Sequence, residues 1–148
     1  MKIIFVCHGS ICRSPAAEMI FKQLNNEHEV VSRALTFEEI GHDIYPPMKR
    51  ELTRRGIPFT RHYATYLTKE DFDNCDYLFY MDDENRYMLV RRFGESKKIL
   101  PIYHFTNSIF EIEDPWYTDN FEKVVTQITT CIKDIIKNLT VLLSENQH

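Results

Sequence analysis

The sequence has no apolar stretch long enough to cross a membrane, and its apolar start spans only Ile3 to Val6. A helix that spans a bilayer needs about 20 predominantly apolar residues, so we expect neither a membrane span nor a secretory signal. The net charge is only -4, which gives no general attraction to nucleic acid or to an anionic membrane. Any affinity for an anion must therefore come from a local arrangement of residues.

Metal-ligand patterns and internal repeats are also absent. Cys7 and Cys12 have no partner pair at the spacing of zinc ligands, and the histidines are scattered. The chain has four cysteines, which we interpret as reduced thiols in a cytoplasmic protein. We therefore expect no metal, no cofactor and a cytoplasmic location.

The composition is that of an ordinary globular protein. The chain has 148 residues, of which 43% are hydrophobic and 27% are charged. A chain of this length suits one domain, residues 1–148, with a sizeable core.

Strand and helix signals alternate along the chain without a linker. Strands are predicted at residues 2–6, 30–35, 77–81 and 99–102. Helices are predicted after Ser14, over residues 46–55, after a cap at Asp82 and ending at Gly94, and over an apolar face that runs from Phe121 to Leu139. A shorter helical turn is predicted where Thr68 and Asp71 cap each other. Since parallel neighbours need crossover connections, this order predicts an α/β fold with a four-stranded parallel sheet and helices on both faces.

The segment from Cys7 to Arg13 has the features of an anion-binding loop between a strand and a helix. Ser14 and Pro15 are predicted to be the N-cap and first residue of that helix. The free amides and the helix dipole would then point into the loop, which favours a thiolate at Cys7. Arg13 can donate two parallel hydrogen bonds to phosphate oxygens, and Ser14 can donate its hydroxyl to the sulfur. The residues between them are His8, Gly9, Ser10, Ile11 and Cys12.

A buried structural cysteine with a chance Cys-x5-Arg spacing is the alternative. The preceding strand, Gly9 inside the loop and the Ser-Pro pair that follows favour the functional interpretation. The loop thus predicts covalent phosphoryl chemistry with Cys7 as the nucleophile.

An acid is also needed, because the departing oxygen must be protonated as its bond to phosphorus breaks. Asp114 is the best candidate, since it stands in the irregular stretch before the last helix. Pro115 fixes the backbone beside it, and Trp116 and Tyr117 would add aromatic walls. Taken alone, the segment is better explained as an Asp-Pro turn.

These two segments together resemble the low-molecular-weight protein tyrosine phosphatases. The family pattern is C-x4-C-R-S with a distant D-P-x-Y, and residues 7–14 and 114–117 carry it. The resemblance implies that Cys7 attacks phosphotyrosine to form a cysteinyl-phosphate, while Asp114 serves as general acid and then as base. It also implies that Arg13 and the loop amides hold the phosphate oxygens. The partners would be tyrosine-phosphorylated proteins or peptides, with inorganic phosphate as product.

Ser10 departs from the family pattern, because most members carry Asn there. The resemblance implies hydrogen bonds between this position and Ser14, Ser32 and His62. Ser tolerates left-handed backbone less readily than Asn, so we expect a looser loop and a lower rate.

Three further positions bear on specificity and regulation. His8 replaces an apolar residue, and Glu38 falls where many members place an aromatic pocket wall, so both are expected to tune substrate choice. Cys12 is either a packing residue or, as the resemblance favours, a thiol that traps oxidised Cys7 as a disulfide.

Rival functions of the same fold stay open. Thioredoxin-coupled arsenate reductases use an additional cysteine pair, and Cys75 and Cys131 are too far apart in sequence to resemble it. Arginine phosphatases tend to have Thr where Ile11 stands. A weakly active phosphate-binding module is supported only by Ser10. The basic cluster Lys49, Arg50, Arg54, Arg55 and Arg61 is interpreted as a solvated helix face, with attraction of acidic phosphopeptides as the lesser option.

Overall fold

A computed structural model gives the fold of the chain and describes residues 1–146, so the last two residues of the predicted domain lie outside it. The strands are β1 (Lys2–Cys7), β2 (Glu29–Ala34), β3 (Tyr77–Tyr80) and β4 (Ile99–Pro101). The helices are α1 (Arg13–Leu24), α2 (Pro46–Arg54), α3 (Lys69–Asn74), α4 (Asp83–Phe93), α5 (Pro115–Thr118) and α6 (Phe121–Asn146). The strands pair in parallel in the order β2-β1-β3-β4. The predicted α/β class and four-stranded parallel sheet are confirmed.

Strand β1 is the centre of the molecule because its apolar side chains are buried on both faces of the sheet. Ile3 and Phe5 enter the core that α1 and α6 cover, and Ile4 and Val6 enter a second core that includes Leu89 of α4. All four strand residues are fully buried. A continuous apolar run is what a parallel strand covered by helices on both faces requires.

The periodic face predicted for the last helix is confirmed. Its members are all buried in the core on the α1 side: Phe121, Val124, Val125, Ile128, Ile132, Ile135 and Leu139. The two predicted helix caps are also present. Thr68 and Asp71 form a capping box at α3, and Asp82 accepts from the Asn85 amide at the start of α4.

One local prediction is wrong, and one short helix was not predicted. Helix α1 begins at Arg13 rather than after Ser14, and its N-cap is Cys12, which makes no side-chain capping bond. Pro15 is thus the third helical residue and not the first. The sequence also gave no sign of α5 as a separate helical turn before α6, since a single turn is too short for a periodic pattern. Asp114 is its N-cap.

The parallel arrangement decides where loops from distant parts of the chain meet. The carboxyl ends of β1, β2 and β3 lie at one edge of the sheet, with β1 in the middle. Cys7 ends β1, so the loops that follow β2 and β3 flank it. Ligands of open α/β sheets bind at such an edge. Within residues 1–146, no helix combines the length and apolar character needed to span a bilayer.

Candidate active site

Cys7 lies at the floor of a small cavity and is engaged by Ser14. The Cys7 thiol donates to Ser14 Oγ at 3.2 Å, and the Ser14 amide donates to the sulfur at 3.4 Å. The Ser14 hydroxyl in turn donates to Ser10 Oγ at 3.0 Å. Because hydroxyl protons can rotate, the same chain can reverse so that Ser14 donates to a thiolate. This engagement explains why Ser14 does not cap α1.

The loop amides form the second part of the site. The backbone N–H groups from Gly9 to Arg13 have no hydrogen-bond acceptor among the described residues. They belong to the loop and the first residue of a 12-residue helix that has no side-chain cap. Free amides at the positive end of a helix dipole are suited to hold a tetrahedral oxyanion.

The shape of the loop depends on two special residues. Ser10 adopts a left-handed backbone with φ of 55°, and the His62 Nε2–H donates to its carbonyl oxygen at 2.6 Å. A Cβ at Gly9 would lie 3.0 Å from Cγ of Glu39, so a larger residue there would have to displace the Glu39 side chain slightly.

Arg13 is a buried cation with one edge of its guanidinium left free. Its side chain is 2% exposed, and Nη1 donates to Asp82 Oδ2 and to the Ile112 carbonyl, both at 2.7 Å. Nε and Nη2 have no hydrogen-bond acceptor among the described residues. Burial alone would lower the pKa of Arg13, but the charges of Cys7 and Asp82 raise it. The free edge can therefore bind two phosphate oxygens.

Asp114 reaches the same cavity from the opposite side. Its Oδ1 accepts from the Trp116 amide at 3.0 Å, and its Oδ2 lies 3.6 Å from Arg13 Nη2. One carboxylate oxygen is thus occupied by the cap of α5, while the other is close to the arginine that would hold the phosphate.

The cavity has a volume of about 130 Å³. It is lined by Cys7, His8, Gly9, Ile11, Cys12, Arg13, Glu38, Glu39, Asp114, Trp116 and Tyr117. Most of the predicted site residues are therefore together. The Trp116 ring packs on Tyr45, with 4.6 Å between ring centroids, and this contact fixes one wall.

Four of the predicted residues stand behind the cavity rather than in its lining: Ser10, Ser14, His62 and Pro115. Ser32 is also outside it, and the hydrogen bond expected between Ser32 and Ser10 is a wrong prediction. The Ser32 hydroxyl instead donates to Glu18 Oε1 at 2.8 Å. Glu18 is a buried carboxylate on α1 that accepts the hydrogen bond from Ser32. The short side chain of Ser10 does not reach Ser32 to compete for it.

The model of the low molecular weight phosphotyrosine protein phosphatase family matches residues 2–145. This chain belongs to that family. The human low molecular weight phosphotyrosine protein phosphatase is 34% identical over 152 residues, which cover 91% of this chain and 93% of that protein. The crystal structure of YfkJ from Bacillus subtilis has a TM-score of 0.89 at 29% identity, and the match covers 95% of this chain and 94% of that one. The YwlE arginine phosphatase from Geobacillus stearothermophilus has a TM-score of 0.88 at 26% identity, with 99% and 97% coverage.

In this low-molecular-weight phosphatase, two residues of the site were missed from the sequence. Asp82 was predicted as a helix cap but not as a partner of Arg13, with which its second oxygen pairs. A polar residue just past the carboxyl end of a predicted strand, where ligands of open α/β sheets bind, was a partial signal. Glu39 lines the cavity beside Glu38, and the sequence offered no sign of which of the two neighbouring acids would face the site.

Proposed function

We propose that this protein hydrolyses phosphotyrosine in proteins or peptides through a cysteinyl-phosphate intermediate. One observation carries the proposal: a single cavity is lined by Cys7, by Arg13 with its free edge, by Asp114 and by three loop residues with free amides, Gly9, Ile11 and Cys12. A nucleophile, an oxyanion cradle and an acid are the parts that this chemistry needs.

In the first step, the Cys7 thiolate attacks phosphorus in line with the phenolic oxygen. The new S–P bond forms as the P–O bond to tyrosine breaks, and Asp114 gives its proton to the departing oxygen. Arg13 and the amides hold the three equatorial oxygens, where charge is spread in the transition state.

In the second step, a water molecule attacks the phosphorus of the cysteinyl-phosphate. Asp114 takes a proton from this water, the S–P bond breaks and inorganic phosphate leaves. Ser14, whose Oγ lies 3.2 Å from the sulfur, donates a hydrogen bond to the departing thiolate.

The walls of the cavity support an aromatic phosphoester. Ile11, Trp116 and Tyr117 offer apolar surface around the phosphate position, which suits a phenyl ring. All four cysteines are free, and Cys7 must stay reduced to act. The free thiols support our proposal of a cytoplasmic location, and we propose that residues 1–148 form a single phosphatase domain.

Paired variants test the proposal. Asp114→Asn removes the acid and keeps the size, so hydrolysis of a phosphotyrosine peptide should fall by about 10² to 10⁴. The loss should be much smaller with p-nitrophenyl phosphate, whose leaving group needs little protonation. Asp119→Asn, five residues away on the exposed end of α5, is the matched control and should change neither rate appreciably. Cys7→Ser should abolish turnover of both substrates, and activity retained there would refute the covalent route.

A second candidate is hydrolysis of phosphoarginine, which the similarity to the YwlE arginine phosphatase favours. The apolar Ile11 in the cavity offers the guanidinium no polar contact and argues against it. Phosphate release from phosphotyrosine and phosphoarginine, together with arsenate reduction, should be measured side by side. Binding of phosphate without turnover of any substrate would instead indicate a binding module.

A further inference from the structure

The mouth of the cavity carries exposed carboxylates on both sides of His8. His8 Nε2 lies 2.9 Å from Glu38 Oε2, and His8 Nδ1 lies 3.9 Å from Glu84 Oε1. The Glu38 and Glu84 side chains are 66% and 73% exposed. They follow β2 and β3, while His8 follows β1, so the ends of three adjacent strands bring them together.

The charges of the lining leave this rim negative. Arg13 is the only arginine or lysine of the lining, and it is already matched by Asp82 and Asp114. Glu39 interacts with His42 at 2.6 Å. Among the described residues, Glu38 has no ion-pair partner other than His8, so its carboxylate adds negative charge to the rim unless His8 is protonated.

The basic cluster of Lys49, Arg50, Arg54, Arg55 and Arg61 does not offset the negative charge of the rim. Four of its five side chains pair with acids of the same chain: Lys49 and Arg61 with Asp43, and Arg54 and Arg55 with Glu51. Two carboxylates shared by four cations offset only part of the positive charge, but none of the five side chains lines the cavity, so the cluster leaves the local charge of the rim negative.

We infer that Glu38, oriented by His8, makes the enzyme prefer phosphotyrosines flanked by lysine or arginine. The inference rests on the proposed function and names its substrate class. A phosphate that approaches the rim alone is repelled, whereas a neighbouring cation on the same peptide pairs with Glu38 and offsets that repulsion. Discrimination therefore comes from the repulsion of acidic peptides as well as the attraction of basic ones.

Matched peptides measure this preference. Three phosphotyrosine peptides would differ only in the two residues that flank the phosphotyrosine, which are arginine, alanine or glutamate. The wild-type kcat/KM should be roughly threefold higher for the arginine peptide than for the alanine peptide, as expected for an exposed ion pair. The glutamate peptide should be slower by a similar factor. The preference should shrink as ionic strength rises, since added salt screens exposed charges.

Substitutions at Glu38 test whether this residue causes the preference for basic peptides. The ratio of arginine to alanine peptide should approach one in Glu38→Gln and fall below one in Glu38→Lys. Because both peptides are measured with the same variant, a general change in its catalytic rate cancels in this ratio. Glu27→Gln removes the same charge from an exposed residue just before β2, at the opposite end of the sheet, and should keep the wild-type ratio.

The outcomes distinguish the preference for basic peptides from the proposed phosphatase activity. Equal rates for all three peptides, or a preference that survives in Glu38→Gln, would overturn the inference and leave the phosphatase proposal intact. Faster hydrolysis of the glutamate peptide would also overturn it. If none of the phosphotyrosine peptides is hydrolysed, the proposed function itself fails.

Discussion

The ion pair between Arg13 and Asp82 should contribute strongly to stability, and Asp82→Asn tests this. The substitution removes one charge and keeps the size of the side chain. It also keeps a carbonyl oxygen that can accept from the Asn85 amide, so the cap of α4 survives. The change therefore isolates the 2.7 Å contact with Arg13.

The magnitude follows from the burial of the two partners. Removing one member of a buried ion pair costs about 3–5 kcal/mol, because the other charge is left uncompensated. Arg13 is 2% exposed, but Asp82 is 21% exposed, and Asp114 and the Ile112 carbonyl remain near the guanidinium. We therefore expect a loss of about 2–3 kcal/mol in the free energy of unfolding, at or just below the lower end of that range.

Urea unfolding measures this loss. The chain has one tryptophan, Trp116, so its fluorescence reports the site while circular dichroism reports the whole fold. Asp83→Asn removes the same charge from the next, exposed residue and should cost less than about 1 kcal/mol, mainly through the helix dipole. If Asp82→Asn costs no more than this control, the buried pair does not stabilise Arg13 and the reasoning is wrong.

Three further predictions concern the sulfur chemistry and acid stability. In Ser14→Ala, breakdown of the phosphoenzyme should slow in burst kinetics because the leaving sulfur loses a donor; a slowdown confined to its formation would contradict this. Burial and the neighbouring charge of Cys7 raise the pKa of the Cys12 thiol well above its ordinary value, so Cys7 should be oxidised first. Mass spectrometry after mild peroxide should then show a Cys7–Cys12 disulfide in the wild type and a sulfinic acid in Cys12→Ser, whereas sulfinic acid in both would argue against protection. Burial alone would raise the pKa of Asp43, but hydrogen bonds from Lys49 and two backbone amides hold it well below its usual value. Its ionised form stabilises the fold above the unfolded-state pKa of about 3.9, and this stabilisation is lost as the pH falls through the lower folded-state value. The difference in unfolding free energy between the wild type and Asp43→Asn should therefore shrink as the pH falls from about 6 to about 2. A difference that stays constant would refute the stabilising role of ionised Asp43.

The sequence predicted those parts of the fold that depend on neighbours along the chain. The apolar run of β1 and the buried face of α6 are local patterns with periods fixed by backbone geometry. The capping box of Thr68 and Asp71 is equally local. The resemblance to the phosphatases added the link between Cys7 and Asp114, which no local pattern contains.

The missed features depend on contacts between distant segments. Asp82 is 69 residues from Arg13, and the Ile112 carbonyl is 99 residues away. Only the pairing of β1 with β3 brings Asp82 to the site, and a sequence pattern does not reveal that order. The family pattern predicted a hydrogen bond between Ser32 and Ser10. The Ser32 hydroxyl instead donates to the nearest strong acceptor, which is the Glu18 carboxylate.

The wrong start of α1 has a functional reason. A serine at the N-cap would accept hydrogen bonds from the first helical amides and stabilise the helix by about 1 kcal/mol. This stabilisation is missing here, because the N-cap is Cys12, which makes no capping bond. The Ser14 hydroxyl instead lies against the Cys7 sulfur. A side-chain cap at Cys12 would find no free amide, because the Ser14 amide donates to the Cys7 sulfur and Pro15, the next residue, has no N–H. The capping rule therefore fails here because the Ser14 hydroxyl that it would use serves the sulfur.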